Sequence, residues 1–181
     1  MDAAEEAFGR LGFVAARLED IARSVGVTRP SLLYHFGSKN KLYGEVVRRA
    51  FGMLRHALKR PVERECSFEE LLDDLLEAYL SLLHEHPGLA SLLLRELFES
   101  RGAHSKALLR ELVPLLSWLE TTLRERGQGI ILEGLPVRAA ILQVGTASLV
   151  QVTAPEPLRT VLWGKADETR RLAHLLFTGR F

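Results

Sequence analysis

The chain has 181 residues, with 24 Lys and Arg against 23 Asp and Glu, so its net charge is only +1. Its 35 Leu and 18 Ala outweigh 24 β-branched residues, which favours helix and argues against a β-sandwich or an α/β sheet. Hydrophobic residues at 47% argue against disorder, and the single cysteine, Cys66, excludes an intrachain disulfide and a cysteine-rich zinc module.

The expectation is an all-α chain punctuated by Gly and Pro. Residues 2–11 place Ala3, Ala4, Ala7, Phe8 and Leu11 on one side and stop at Gly12. A second short helix spans 18–25 before Gly26, and a third spans 28–34 before Gly37. Residues 38–60 form a long connecting helix with Leu42, Val46, Ala50, Leu54 and Leu58 in one stripe, ended by Pro61. Ser67 and Glu70 fit a capping box that opens a helix to about residue 85. His86-Pro87-Gly88 breaks it, and the next helix runs to about residue 100, before Gly102. Residues 105–126 form a long helix in which Pro114 is expected to cause a kink or a break. Residues 136–153 carry no charge after Arg138, and 167–177 make the last helix. The expected division is a head at 1–46, a connecting helix to about 60 and a larger helical domain at 61–181.

Charge is uneven. Residues 17–60 hold ten Lys or Arg and three acids, whereas 61–181 hold 13 basic and 17 acidic residues. That pattern suits a basic module meeting a polyanion, joined to one that does not; a solvated face that clusters by chance is the alternative. Within the basic segment, Ile21-Ala22 is followed by Gly26-Val27, Thr28 and Leu32. A helix-turn-helix needs a small residue where the helices cross, a glycine at the tight turn and apolar residues around both. Ala22 and Gly26 fill the first two needs; Ile21, Val25, Val27 and Leu32 fill the third. Thr28 should cap the following helix, presenting Arg29, Pro30 and Ser31 at the end that enters a major groove. Lys39 and Lys41 then sit behind a Ser38 cap, where a bound phosphate would offset the unfavourable helix dipole.

The run from Leu18-Glu19-Asp20-Ile21-Ala22 through Gly26-Val27-Thr28-Arg29-Pro30-Ser31-Leu32-Leu33-Tyr34-His35-Phe36-Gly37-Ser38-Lys39 to Leu42 resembles the amino-terminal domain of tetracycline-repressor (TetR) family regulators. The likeness covers about residues 2–48, a quarter of the chain. It implies a homodimeric repressor with a helix-turn-helix head on a larger ligand-binding and dimerisation domain, binding a palindromic double-stranded DNA operator and released by a small-molecule effector. It places Thr28, Arg29, Pro30, Leu33, Tyr34, His35 and Lys39 at positions that commonly contact DNA. Ser31 and Arg17 complete the candidate DNA-binding set. Leu33 stands where the family usually has a tyrosine that reaches a phosphate, a contact that Tyr34 or His35 would take over. Arg17 replaces the usual Thr or Ser cap. The sequence begins inside what is normally the first helix, so either a native start lies upstream of Met1 or the protein uses less minor-groove and phosphate contact.

Enzyme readings find no constellation. His84 and His86 point about 200° apart on a helix and cannot chelate together, and neither a phosphate loop nor a nucleophile elbow occurs. No cofactor or metal is expected. Tyr79, Phe98, Arg110, Pro114 and Trp118 are the candidate effector pocket, for an apolar or amphiphilic ligand. Ala140, Gln143, Ala147, Val150 and Gln151, joined by Leu172, Leu175 and Leu176, are the candidate dimer interface, built as an intermolecular four-helix bundle. No span suits a membrane and the opening residues are acidic, so a cytoplasmic protein is expected. A helical scaffold whose helix-turn-helix is only a packing element is the alternative from another class.

Overall fold

The structure is a computed structural model and describes residues 1–99, 103–163 and 167–179. Among them are ten helices and no strand. They are α1 (Asp2–Ala15), α2 (Leu18–Ser24), α3 (Arg29–Phe36), α4 (Lys39–Glu63), α5 (Phe68–Glu85), α6 (Pro87–Glu99), α7 (Ala103–Arg126), α8 (Val137–Thr153), α9 (Glu156–Trp163) and α10 (Asp167–Thr178). None is long and apolar enough to cross a membrane. The break expected at Gly102 lies outside the described residues.

Local chemistry sets most boundaries. Gly12 leaves helical geometry at φ 76° and ψ 170°, and one more turn follows to Ala15. Ser67 Oγ accepts from the Glu70 amide while the Glu70 carboxylate accepts from the Ser67 amide at 2.9 Å, the reciprocal box that starts α5. Two proline expectations need correction. Pro61 does not end α4, which continues to Glu63, because in the last turn a proline costs only its own amide bond. Nor does Pro114 break α7, which runs unbroken to Arg126. Pro114 lies on the exposed face with Arg110, so the carbonyl it strands lies beside water, while Leu108, Leu115, Leu119 and Leu123 hold the opposite face in the core.

One continuous apolar core runs from α1 to α10. α4 is its spine, burying Val46, Ala50, Phe51, Leu54 and Leu58 against α5 and α7. The Arg126 guanidinium donates to the carbonyls of Val62, Arg64 and Cys66, fixing the end of α7 to the α4–α5 connection. α1 packs chiefly on α6. A Cβ on Gly9 would lie 2.5 Å from the Gly88 carbonyl oxygen, so these helices touch through their backbones.

Glu5 stands in this junction, 7% exposed, with Oε2 lacking any hydrogen-bond partner. Burial pushes its carboxyl above the usual range, against the pull of Arg49 and His86. A raised acid favours the fold at pH values below the ordinary carboxylate range, and that contribution is lost as pH rises through the raised value. Glu5→Gln should therefore stabilise the protein at pH 7 by about 1 kcal/mol, or about 2–4 °C in Tm. The gain should vanish near pH 4, as thermal unfolding followed by circular dichroism at both pH values would show.

Candidate nucleic-acid interface and apolar cavity

The turn between α2 and α3 follows from Gly26, whose φ of 72° lets the chain reverse, with the Val27 amide donating to the Ala22 carbonyl at 3.0 Å. Ala22 is 1% exposed where the helices cross, and Ile21 and Leu32 are buried beside it. Val25 and Val27, expected to join them, stay half-exposed because the tight turn leaves them on its outer side. Thr28 Oγ1 accepts from the Ser31 amide at 3.3 Å, and Pro30 sits in the first turn.

This arrangement leaves Thr28, Arg29, Pro30, Tyr34 and His35 exposed on the outside of α3, with Arg17 exposed nearby and Ser31 partly covered. Tyr34 is 88% exposed, its ring edge-on to His35. Leu33 differs from these exposed residues. It is half-buried against the core, beside a shallow cleft with Val14, Arg29 and Lys39, because a leucine gains more from packing than from water.

Lys39 is also placed differently from a free phosphate ligand. Its Nζ donates to the Val14 carbonyl at 3.2 Å and lies 4.7 Å from the Phe13 ring, tying the start of α4 to the end of α1. Burial there pulls its pKa below the usual lysine value, partly opposed by Glu19. Glu19 also lies 2.9 Å from Arg29 Nε.

A second feature is a partly open cavity of about 170 Å³ lined by α4, α5, α6, α7, α8 and α10. About two-thirds of its lining residues are leucine, from Leu54 and Leu58 through Leu93 and Leu97 to Leu112 and Leu119. The two side-chain hydroxyls on it are already donating: Tyr79 to the Gly145 carbonyl at 3.1 Å and Thr146 to the Leu142 carbonyl at 2.6 Å. Burial holds the Tyr79 phenol far above its usual pKa, so it stays neutral. Such a chamber offers a guest apolar contact and no charge.

Of the five residues expected around a pocket, Tyr79 alone lines this cavity. Phe98 is 77% exposed, Arg110 and Pro114 face solvent, and Trp118 packs on the core beside the cavity rather than into it. Helical phase explains the miss. Leu108, Leu112, Leu115 and Leu119 repeat at three and four residues on the inner face, about 200° from Arg110 and Pro114.

The expected dimer face is divided. Gln143, Val150 and Leu172 are exposed, and Ala147 and Leu175 are half-buried. Ala140 is only 5% exposed, because it follows Val137 by one turn on the inward face. Leu176 packs on its own core, and the Gln151 side-chain oxygen accepts from the Thr169 hydroxyl at 3.0 Å. Sequence reasoning missed α9, which buries nothing and exposes Leu158, Val161 and Leu162 beside α8. Their i, i+3, i+4 spacing was the available signal.

Residues 1–46 match the family described as bacterial regulatory proteins, tetR family. The chain is 41% identical over 59 residues to the HTH-type transcriptional regulator RutR of Escherichia coli (strain K12), covering 33% of this chain and 28% of that protein. It is 36% identical over 58 residues to the icaADBC negative transcriptional regulator IcaR of Staphylococcus aureus (strain Newman), covering 32% and 31%. These matched segments thus span under a third of those relatives. Solved structures extend the likeness in fold to the whole chain. The regulator FadR from Bacillus subtilis, in complex with stearoyl-CoA, superposes with a TM-score of 0.78 at 22% identity, over 99% of this chain and 97% of that one. The fatty acid degradation regulator FadR from Bacillus halodurans gives 0.76 at 20% identity, over 97% and 94%.

Proposed function

We propose that this chain, whose residues 1–46 match the tetR family of bacterial regulatory proteins, is a transcriptional repressor that binds a palindromic DNA operator as a homodimer and is released by an apolar-tailed effector. The observation that carries this reading is the exposed outer face of α3, where a capped helix start presents Arg29, Pro30, Tyr34 and His35 within a basic segment. In this reading residues 1–46 form the DNA-reading head and 61–181 the effector and dimer body, with α4 joining them.

Tyr34, His35 and Arg17 supply phosphate and groove contacts, and Arg29 reads a base edge. The dimer forms through the exposed side of α8 and α10, Gln143, Ala147, Val150, Leu172 and Leu175, widened by the apolar face of α9. Two-fold symmetry then repeats the recognition helices about one DNA turn, or a multiple, apart.

The effector occupies the leucine-lined cavity. Its wall holds no charged side chain, so the part of the ligand inside it is hydrocarbon and any polar head lies outside. The likeness in fold to a regulator solved with stearoyl-CoA supports an acyl chain as the first class to test. An apolar cavity of about 150 Å³ holds one benzene, so a longer chain must enlarge this one by displacing its walls. α6 is one of those walls and is the helix on which α1 rests. Displacing it moves the heads and lowers operator affinity.

The experiment is selection of an operator from a random duplex pool, followed by titrations at several salt concentrations. Arg29→Ala should lower operator affinity by about 1–3 kcal/mol and affect random DNA less. Arg17→Ala, which removes a phosphate contact, should weaken both about equally and reduce the salt slope by about one unit. Equal effects of the two variants would remove the assignment of Arg29 to base reading. Separately, Ala147→Glu should give a helical monomer by sedimentation that has lost operator affinity; a monomer with full operator binding would refute the dimer.

A further inference from the structure

Glu19 is an anomaly on a surface built to meet phosphate. It is half-exposed on the first turn of α2, on the same face as Arg17, Arg29 and Lys39. A carboxylate there repels DNA, and complementing the dipole of α2 does not require this side chain, since Asp20 lies in the same turn. What Glu19 alone does is reach across to the recognition helix. Its Oε1 is 2.9 Å from Arg29 Nε, with both side chains 53% exposed.

The atom contacted matters. Nε is the inner nitrogen of the guanidinium, so a partner there leaves the two terminal nitrogens as the outward edge. That edge is the one that pairs with the O6 and N7 acceptors of guanine. Both backbones are fixed, Glu19 in α2 and Arg29 at the start of α3, and the turn between them is closed by the Ala22–Val27 hydrogen bond. The ion pair therefore spans a rigid frame. An arginine held in this way loses less rotamer freedom on contact than a free one. Arg29 also stands at a helix N-terminus, where a cation is disfavoured, and the nearby carboxylate offsets that penalty.

We propose that Glu19 is a specificity-determining positioning residue: it holds the Arg29 guanidinium with its outer edge presented to a guanine, and it lowers non-specific affinity by its own charge. This rests on the reading of α3 as a DNA-recognition helix. The pair thus trades general attraction to phosphate for discrimination between sequences.

The test uses the full-length protein and duplexes selected by the wild type from a random pool. Glu19→Gln should bind random duplex about two- to fivefold more tightly, having lost one negative charge. Its operator-to-random ratio should fall about tenfold. Reselection with this variant should lose preference at the same position in each half-site as Arg29→Ala, and the double variant should discriminate no worse than Arg29→Ala alone. Glu19→Asp, which restores the charge but not the reach, should return random affinity to the wild-type level while discrimination stays reduced. If Glu19→Gln raises both affinities equally with an unchanged consensus, Glu19 only repels phosphate and the positioning role is overturned, while DNA reading by α3 stands. If the wild type itself selects no sequence, the recognition-helix reading and this proposal both fall.

Discussion

The backbone contact between α1 and α6 governs how the rest of the molecule is arranged. Gly9 and Gly88 allow it, since a side chain on Gly9 would overlap the facing carbonyl. Arg95 then secures it, donating from Nε to the Gly9 carbonyl and from Nη2 to the Arg10 carbonyl, each at 3.2 Å. These carbonyls lie just before the Gly12 break, where a helix end leaves acceptors without intrahelical donors. Arg95 satisfies them from the neighbouring helix, so α1 is anchored on α6. α6 also supplies Leu93 and Leu97 to the cavity wall. One helix therefore touches both the chamber and α1, the contact through which the proposed effector would act on DNA binding. Glu5 lies in the same junction with an unpartnered carboxylate oxygen, a buried polar group that costs stability at this contact.

Features carried by short-range chemistry were legible in the sequence. Gly26 at the turn, Thr28 as a cap and the Ser67–Glu70 box each act within four residues, and each stands where its local rule places it. The helical fold class and the family likeness were legible for the same reason, because the recognition region is compact in sequence. What failed depended on partners far along the chain. The local rule for Pro114 allows a break, but α7 continues through it while the leucines on the opposite face stay in the core. The cavity residues were misassigned because aromatic and proline landmarks were followed instead of the 3.6-residue phase that puts leucines inside. The Gly9–Gly88 approach had no local signature, since a glycine within a helix reads only as a weak position.

The charge pattern and the apolar chamber belong to one economy. Residues 17–60 concentrate positive charge, while the cavity excludes charge and even commits its hydroxyls to backbone carbonyls. On the proposed reading a ligand would act through volume, by moving helices whose inner faces are rich in leucine. Cores resist such changes because they are packed near crystal density, so a guest that enlarges the chamber must shift whole helices instead of deforming side chains locally.

Native-state amide hydrogen exchange tests the α1–α6 coupling most directly, because it measures the free energy at which each helix opens. If the junction joins them into one cooperative unit, the amide of Phe8 in α1 and those of Leu92 and Leu93 in α6 open with the same free energy, within about a tenfold difference in exchange. They should also fall together as urea is added. If α1 instead exchanges with α2 and α3 at a much lower free energy while α6 stays protected, the head is independent of the body, and a ligand in the chamber has no route to it through this contact.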